Sequence, residues 1–221
     1  GVGMCAVFDG HGGEEVANFS AKHLSDRYTN LKHDFDFSEI ETGFIEHDKQ
    51  IIEHGTEIIK CAHNQKKSLS SMMKCRLLEL KRDFPDKSID ELRSIVVCEN
   101  TGSTASVLFI DNDRVVVATA GDCQTVVGST SAYATDLQKR IHNLYDESEV
   151  DRVLNAGLLV SNGNPPRISN ALAVSRGFGD FKFKSQDTSV LLPHQQPVSP
   201  LPEIIEHPIT QNDEFILIGC D

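Results

Sequence analysis

An α+β fold built on antiparallel sheets is what this sequence predicts, and three observations carry it. Apolar stripes at helical spacing run through the first hundred residues, and from Ser103 the period shortens to β-rich runs. In that second half strands outnumber helices available as crossovers, which argues against a Rossmann-like parallel sheet. No stretch reads as a linker long enough to divide the 221 residues, so one domain spanning 1–221 is expected.

Met4 to Phe8 reads as a buried strand and Glu14 to Tyr28 as a helix, with Val16, Phe19, His23, Leu24 and Arg27 at i, i+3, i+4 spacing. His23 is expected on the helix surface or at an interface. A second helix is expected over Ser38 to Ile59, its apolar face formed by Ile40, Phe44, Ile51 and Ile52, with His47 and His54 on the charged segment and without a role. Leu69, Met72, Met73, Leu77 and Leu80 form a third stripe, read as packing. After Pro85, Ser88-Ile89-Asp90-Glu91 offers a capping box for a helix through Val97.

Ala105 to Ile110 and Val115 to Thr119 read as a hairpin joined by Asp111-Asn112-Asp113-Arg114, and Gln124 to Gly128 as the next strand. Glu147 to Asn155 fits a helix closed by Gly157. Ser161 to Ser169 and Phe181 to Ser199 are loops, after which Glu203–Glu206 and Glu214–Cys220 return to strand.

Lys+Arg 21 against Asp+Glu 33 gives a formal charge of −12, which disfavours nucleic acid or an anionic membrane as the main partner. The six cysteines form no Cys-x-x-Cys pair and several sit in apolar runs, so they are read as reduced and intracellular. Cys61-Ala62-His63 with His54 lacks the spacing of a structural zinc site. No signal peptide or membrane span is present.

Chemistry concentrates where apolar runs end in Asp beside or near Gly. Val7-Phe8-Asp9-Gly10-His11-Gly12-Gly13 joins a carboxylate, an imidazole and three glycines, and reads by itself either as a turn leading into a helix or as an ion or phosphate loop. Asp122, Asp180 and Asp221 end three further apolar runs. Four such carboxylates gathered from strand ends are the hard oxygen donors that Mg²⁺ or Mn²⁺ requires.

Five motifs in order, Asp9-Gly10-His11-Gly12-Gly13, Thr101-Gly102-Ser103-Thr104-Ala105, Ala120-Gly121-Asp122, Leu172-Ala173-Val174-Ser175-Arg176 with Gly179-Asp180, and Phe215 to Asp221, resemble the type 2C family of metal-dependent Ser/Thr protein phosphatases. The resemblance implies two central antiparallel sheets packed as a sandwich with helices on both sides, four layers α-β-β-α. It implies hydrolysis of phosphoserine and phosphothreonine in proteins by water activated at two Mg²⁺ or Mn²⁺ ions, with Asp9 bridging, the Gly10 carbonyl on one ion, and Asp180 and Asp221 on the other. Asp122 stands at the family's position for a weaker third ion or an outer contact, and His11 at that of the general acid. The nucleophile then comes from the metals, not from Ser103 or Cys123. Arg176 is expected to pair with a buried carboxylate, Thr101 to Thr104 to shape the sheet near the site, and the loop carrying Arg167 to face it.

Departures are Cys123-Gln124 where members have Ser-Arg, and Leu137 after Asp136 where an Asp-His pair is common. They leave a second reading, a catalytically inactive phosphatase-like scaffold or regulatory binding domain. The family's upstream Arg and Glu-Asp and its downstream Gly and Trp-Asp do not fall within the chain, so it is read as a monomeric catalytic core trimmed at both ends and impaired as it stands. Phosphorylated proteins are the expected substrates, and the cytoplasm or nucleus the expected location.

Overall fold

The computed structural model describes residues 2–29, 31–33, 35–61, 69–185 and 189–221. His63, and with it the Cys61/His63 pairing, lies outside the described residues, as does part of the Phe181 to Ser199 loop.

Among the described residues ten strands form three antiparallel sheets. The first joins β1 (Gly3–Val7), β4 (Ala105–Asp111), β5 (Arg114–Ala120) and β9 (Glu203–Pro208), in the order β1-β4-β5-β9. The β4–β5 hairpin closes at the Asp111↔Arg114 pair, so the turn expected from sequence sits on Asn112-Asp113. The second joins β10 (Asp213–Gly219), β6 (Gln124–Ser129) and β7 (Ala134–Asp136). β2 (Gly10–His11), β3 (Gly102–Ser103) and β8 (Phe178–Gly179) make a small third sheet.

Alternation along β4 and β5 builds two cores. Val107, Phe109, Val116 and Ala118 face the helices, whereas Leu108, Val115 and Val117 face Val127, Ile216 and Ile218 of the second sheet. Covered on both faces, these strands are continuously apolar instead of alternating. The outer face of the second sheet, where the resemblance puts further helices, carries Phe215 and Leu217 at 59% and 62% exposure. β1 is an edge strand with Gly3 and Cys5 exposed, so the buried strand expected there is only half covered.

α1 (Glu15–Tyr28), α2 (Phe37–Glu53), α3 (Gly55–Cys61) and α5 (Ile89–Asn100) cover the first sheet. The single helix expected over Ser38 to Ile59 is in fact two, broken at His54. Gly55 begins the second beside α5, where a Cβ would lie 3.1 Å from that of Ser94. The buried face of α2 also differs: Ile52 is exposed, while His47 and Asp48 are buried. His47, expected on the charged segment and without a role, is a core residue whose Nε2 meets Ser20 Oγ at 2.9 Å between the Phe19 and Phe178 rings. The Ser88/Glu91 capping box starts α5 as expected.

α4 (Ser71–Asp83) rests on α5 through Met73, Leu77 and Leu80. Met72 was expected to be packing but is 65% exposed. α6 (Glu147–Asn155) builds a separate core from Val153, Leu144, Ile168, Val174 and Val198. Among the described residues no helix is long and apolar enough to cross a membrane.

Candidate metal centre and active-site cleft

β1 delivers Asp9 to the end of the sheet sandwich, where the Asp9 carbonyl accepts from Thr104 N–H at 2.9 Å. Gly10 then pairs with Ser103 and His11 with Gly102, which in turn pairs with Gly179. The small sheet thus lays His11 and the Gly179-Asp180 segment on either side of a glycine. A Cβ on Gly102 would stand 2.5 Å from His11 Nε2 and closer still to Asp180 Oδ2. The missing side chain is what lets His11 Nε2 and Asp180 Oδ2 meet at 2.5 Å.

Asp180 is 2% exposed, and its own N–H donates to Thr101 O at 2.9 Å. It adopts φ 55°, a left-handed conformation that Asp tolerates better than most side chains and that turns the chain sharply after β8. The turn is tied down from α2. Asp48 accepts from Gly179 N–H and from Lys184 Nζ, each at 2.9 Å, and Lys184 also donates to Gly177 O. Burial pushes the Asp48 carboxyl up, while Lys184 and the Gly179 N–H pull it down. Sequence reading passed over Asp48, although it falls on the stripe Ile40, Phe44, Asp48, where an acid at helical spacing signals a buried partner.

The ligand atoms of Asp9, Cys220 and Asp221 all lie within 4.8 Å of one another. Asp122 stands beside them. Burial, then the charges of Asp221 and Asp9, raise its carboxyl above the usual range. Like charges crowded in this way fit a divalent cation, and the two close carboxylates are the hard donors that Mg²⁺ or Mn²⁺ takes, with the softer Cys220 thiol at the edge. Asp180, expected among the metal ligands, has one carboxylate oxygen, Oδ2, engaged by His11 Nε2. Burial alone would lower the His11 imidazole, but the Asp180 hydrogen bond and the charges of Asp180, Asp122 and Asp9 outweigh it and raise it above the usual imidazole range.

These groups open into one cleft of about 480 Å³. Its walls include Met72 and Met73 from α4, Arg167 from the loop expected to face the site, and Lys182. Nothing in the spacing of the methionines distinguished a cleft wall from core; only the placement of α4 does so. Arg176 pairs with buried Glu149, as anticipated, at 2.7 Å, and Arg152 donates to the same carboxylate. Thr101 and Thr104 hold the backbone of Asp180 and Asp9, consistent with a shaping role.

The family model "Protein phosphatase 2C" matches residues 2–221. The chain is 30% identical over 220 residues to Protein phosphatase 2C homolog 3 of Schizosaccharomyces pombe, covering 100% of this chain and 42% of that protein. It is likewise 30% identical over 221 residues to the Probable protein phosphatase 2C 3 of Paramecium tetraurelia, covering 63% of it. Among solved structures, a phosphatase from Toxoplasma gondii superimposes with a TM-score of 0.69 at 20% identity, over 100% of this chain and 68% of that one. A sex-determining protein of C. elegans does so at 0.67 and 23% identity, over 99% and 43%. The chain therefore spans about two fifths to two thirds of the length of these curated relatives, and, with its motifs in order on the matching fold, it belongs to the protein phosphatase 2C family.

Proposed function

We propose that the whole protein hydrolyses phosphoserine and phosphothreonine esters in proteins with the help of two divalent ions, Mg²⁺ or Mn²⁺, with these residues forming one catalytic domain. The observation that carries this reading is the convergence of Asp9, Asp221 and Asp122 beside His11 in a single cleft. Asp9, Asp221 and the Gly10 carbonyl are the groups we assign to the ions, with Asp122 next to them and Asp180 behind His11. Bound divalent ions supply Lewis-acid activation of water and neutralise phosphoryl charge.

The chain's own residues supply the rest. Nε2 of His11 is engaged by Asp180, so Nδ1 is the nitrogen that delivers a proton to the departing serine or threonine oxygen. That transfer avoids expelling a basic alkoxide and contributes roughly 10²- to 10⁴-fold. Arg167 and Lys182 bring positive charge to the walls for the anionic substrate, while Met72 and Met73 offer apolar surface to the flanking peptide.

The test is hydrolysis of a phosphothreonine peptide by the full-length protein with manganese, against the same protein with Asp9→Asn and with chelator. Turnover that needs the metal and is lost in the variant supports the reading. Metal-independent partner binding without turnover replaces it with the scaffold.

A further inference from the structure

Continuing the β6–β10 register one step beyond the Gln124↔Gly219 pair sets Cys123 directly opposite Cys220. Opposed residues of antiparallel strands stand about 4.5 to 5.5 Å apart at Cα. That lies inside the roughly 4.4 to 6.8 Å a disulfide spans. The side chains agree: Thr104 Oγ1 touches both sulfurs, at 3.1 Å and 3.7 Å, and the thiols are in hydrogen-bond contact with each other. Both are free thiols, Cys123 at 1% exposure and Cys220 half-buried. Cys123 is followed back by Asp122 and Cys220 forward by Asp221, so the pair is wedged between two carboxylates of the cleft.

We infer that Cys123 and Cys220 are a modification site, closing to a reversible disulfide when a hydroperoxide enters the cleft. The more accessible Cys220 sulfur attacks the peroxide, the O–O bond breaks, an alcohol or water leaves, and Cys220 becomes a sulfenic acid. The Cys123 sulfur then attacks that sulfur, the S–S bond forms, the S–O bond breaks and water leaves. In sum, two thiols and one hydroperoxide give a disulfide, one water and one alcohol, or a second water where hydrogen peroxide is the oxidant, the sulfurs losing the two electrons that the peroxide gains. The bond draws the two Cβ atoms to about 3.8 Å, displacing the strand ends that carry Asp122 and Asp221. A shift of about 1 Å at such groups costs on the order of 10²-fold in turnover. This last consequence rests on the phosphatase reading; the disulfide itself does not.

The experiment treats the full-length protein with hydrogen peroxide, alkylates the remaining thiols and maps unreduced peptides by mass, with phosphopeptide turnover followed in parallel. A Cys123–Cys220 peptide that a dithiol releases, with turnover falling on the order of 10²-fold and returning with the dithiol, is the expected result. Cys123→Ser, which restores the residue common in the family, keeps turnover before treatment, gives no joined peptide, and resists dithiol recovery once Cys220 oxidises further. Absence of the joined peptide under conditions that consume both thiols overturns the inference. A joined peptide in a protein that never hydrolyses phosphopeptide refutes the phosphatase reading and leaves the disulfide standing.

Discussion

Gly102→Ala separates acid catalysis from the rest of the site. The new Cβ would stand 2.5 Å from His11 Nε2, and closer to Asp180 Oδ2, where ordinary contact begins at 3.4 Å. The backbones on either side are held, because β2 and β8 are hydrogen-bonded to β3 on opposite sides, so the two side-chain ends must give way. The imidazole and the carboxylate must separate by about 1 Å, enough to cost on the order of 10²-fold at a reacting group. Gly102 lies in an ordinary strand conformation, so alanine adds no backbone strain. Turnover of the full-length variant on a phosphothreonine peptide should fall by about 10²-fold. Turnover on an aryl phosphate, whose phenolate leaves without a proton, should change by only a few fold. Asp180 is also a main support of the protonated form of His11. The alkaline limb of the phosphopeptide profile, where that proton is lost, should therefore move to lower pH. Equal losses on the two substrates, or an unmoved limb, would refute the assignment of His11 and Asp180 as a working pair.

Three further outcomes concern the supports of the site. Lys184→Met leaves the Asp48 carboxylate buried with only the Gly179 N–H, and should cost about 3 to 5 kcal/mol in urea unfolding; adding Asp48→Asn should recover part of it, and no recovery would show the pair is not coupled. Burial alone would raise the Glu149 carboxyl, but Arg152 and Arg176 hold it down at about 2 against the usual 4.5. Its stabilisation is thus complete above 4.5 and disappears as pH falls towards 2, so the destabilisation of Glu149→Gln should shrink through that window, and a constant difference would contradict the ion-pair account. Burial, with His23 and Arg27, lowers His47 from 6.5 to about 3. The unfolded chain takes up that proton first, so stability drains as pH falls from 6.5 to 3, and His47→Gln should flatten the urea midpoints across that interval; an unchanged slope would show that His47 is not the group responsible.

What the sequence determined by itself is local and periodic. Period-two runs from Ala105 onwards, the Asn112-Asp113 turn, the Ser88/Glu91 box and Asp beside or near Gly at strand ends all act within a few residues, so antiparallel strands, helix starts and a set of strand-end acids were legible. Tertiary structure decided what depends on neighbours distant in the chain. Helix α3 begins at Gly55, packed close against Ser94 of α5, and His47 and Asp48 are buried because Phe178 and Lys184, more than a hundred residues away, cover that face. Met72 borders the cleft because of where α4 lies. Asp180 reaches His11 only across the bare Gly102, and Cys123 faces Cys220 only once β6 and β10 pair. Hydrophobic periodicity specifies which face is buried but not what buries it, and the chemistry of a buried acid, imidazole or thiol is set by that partner.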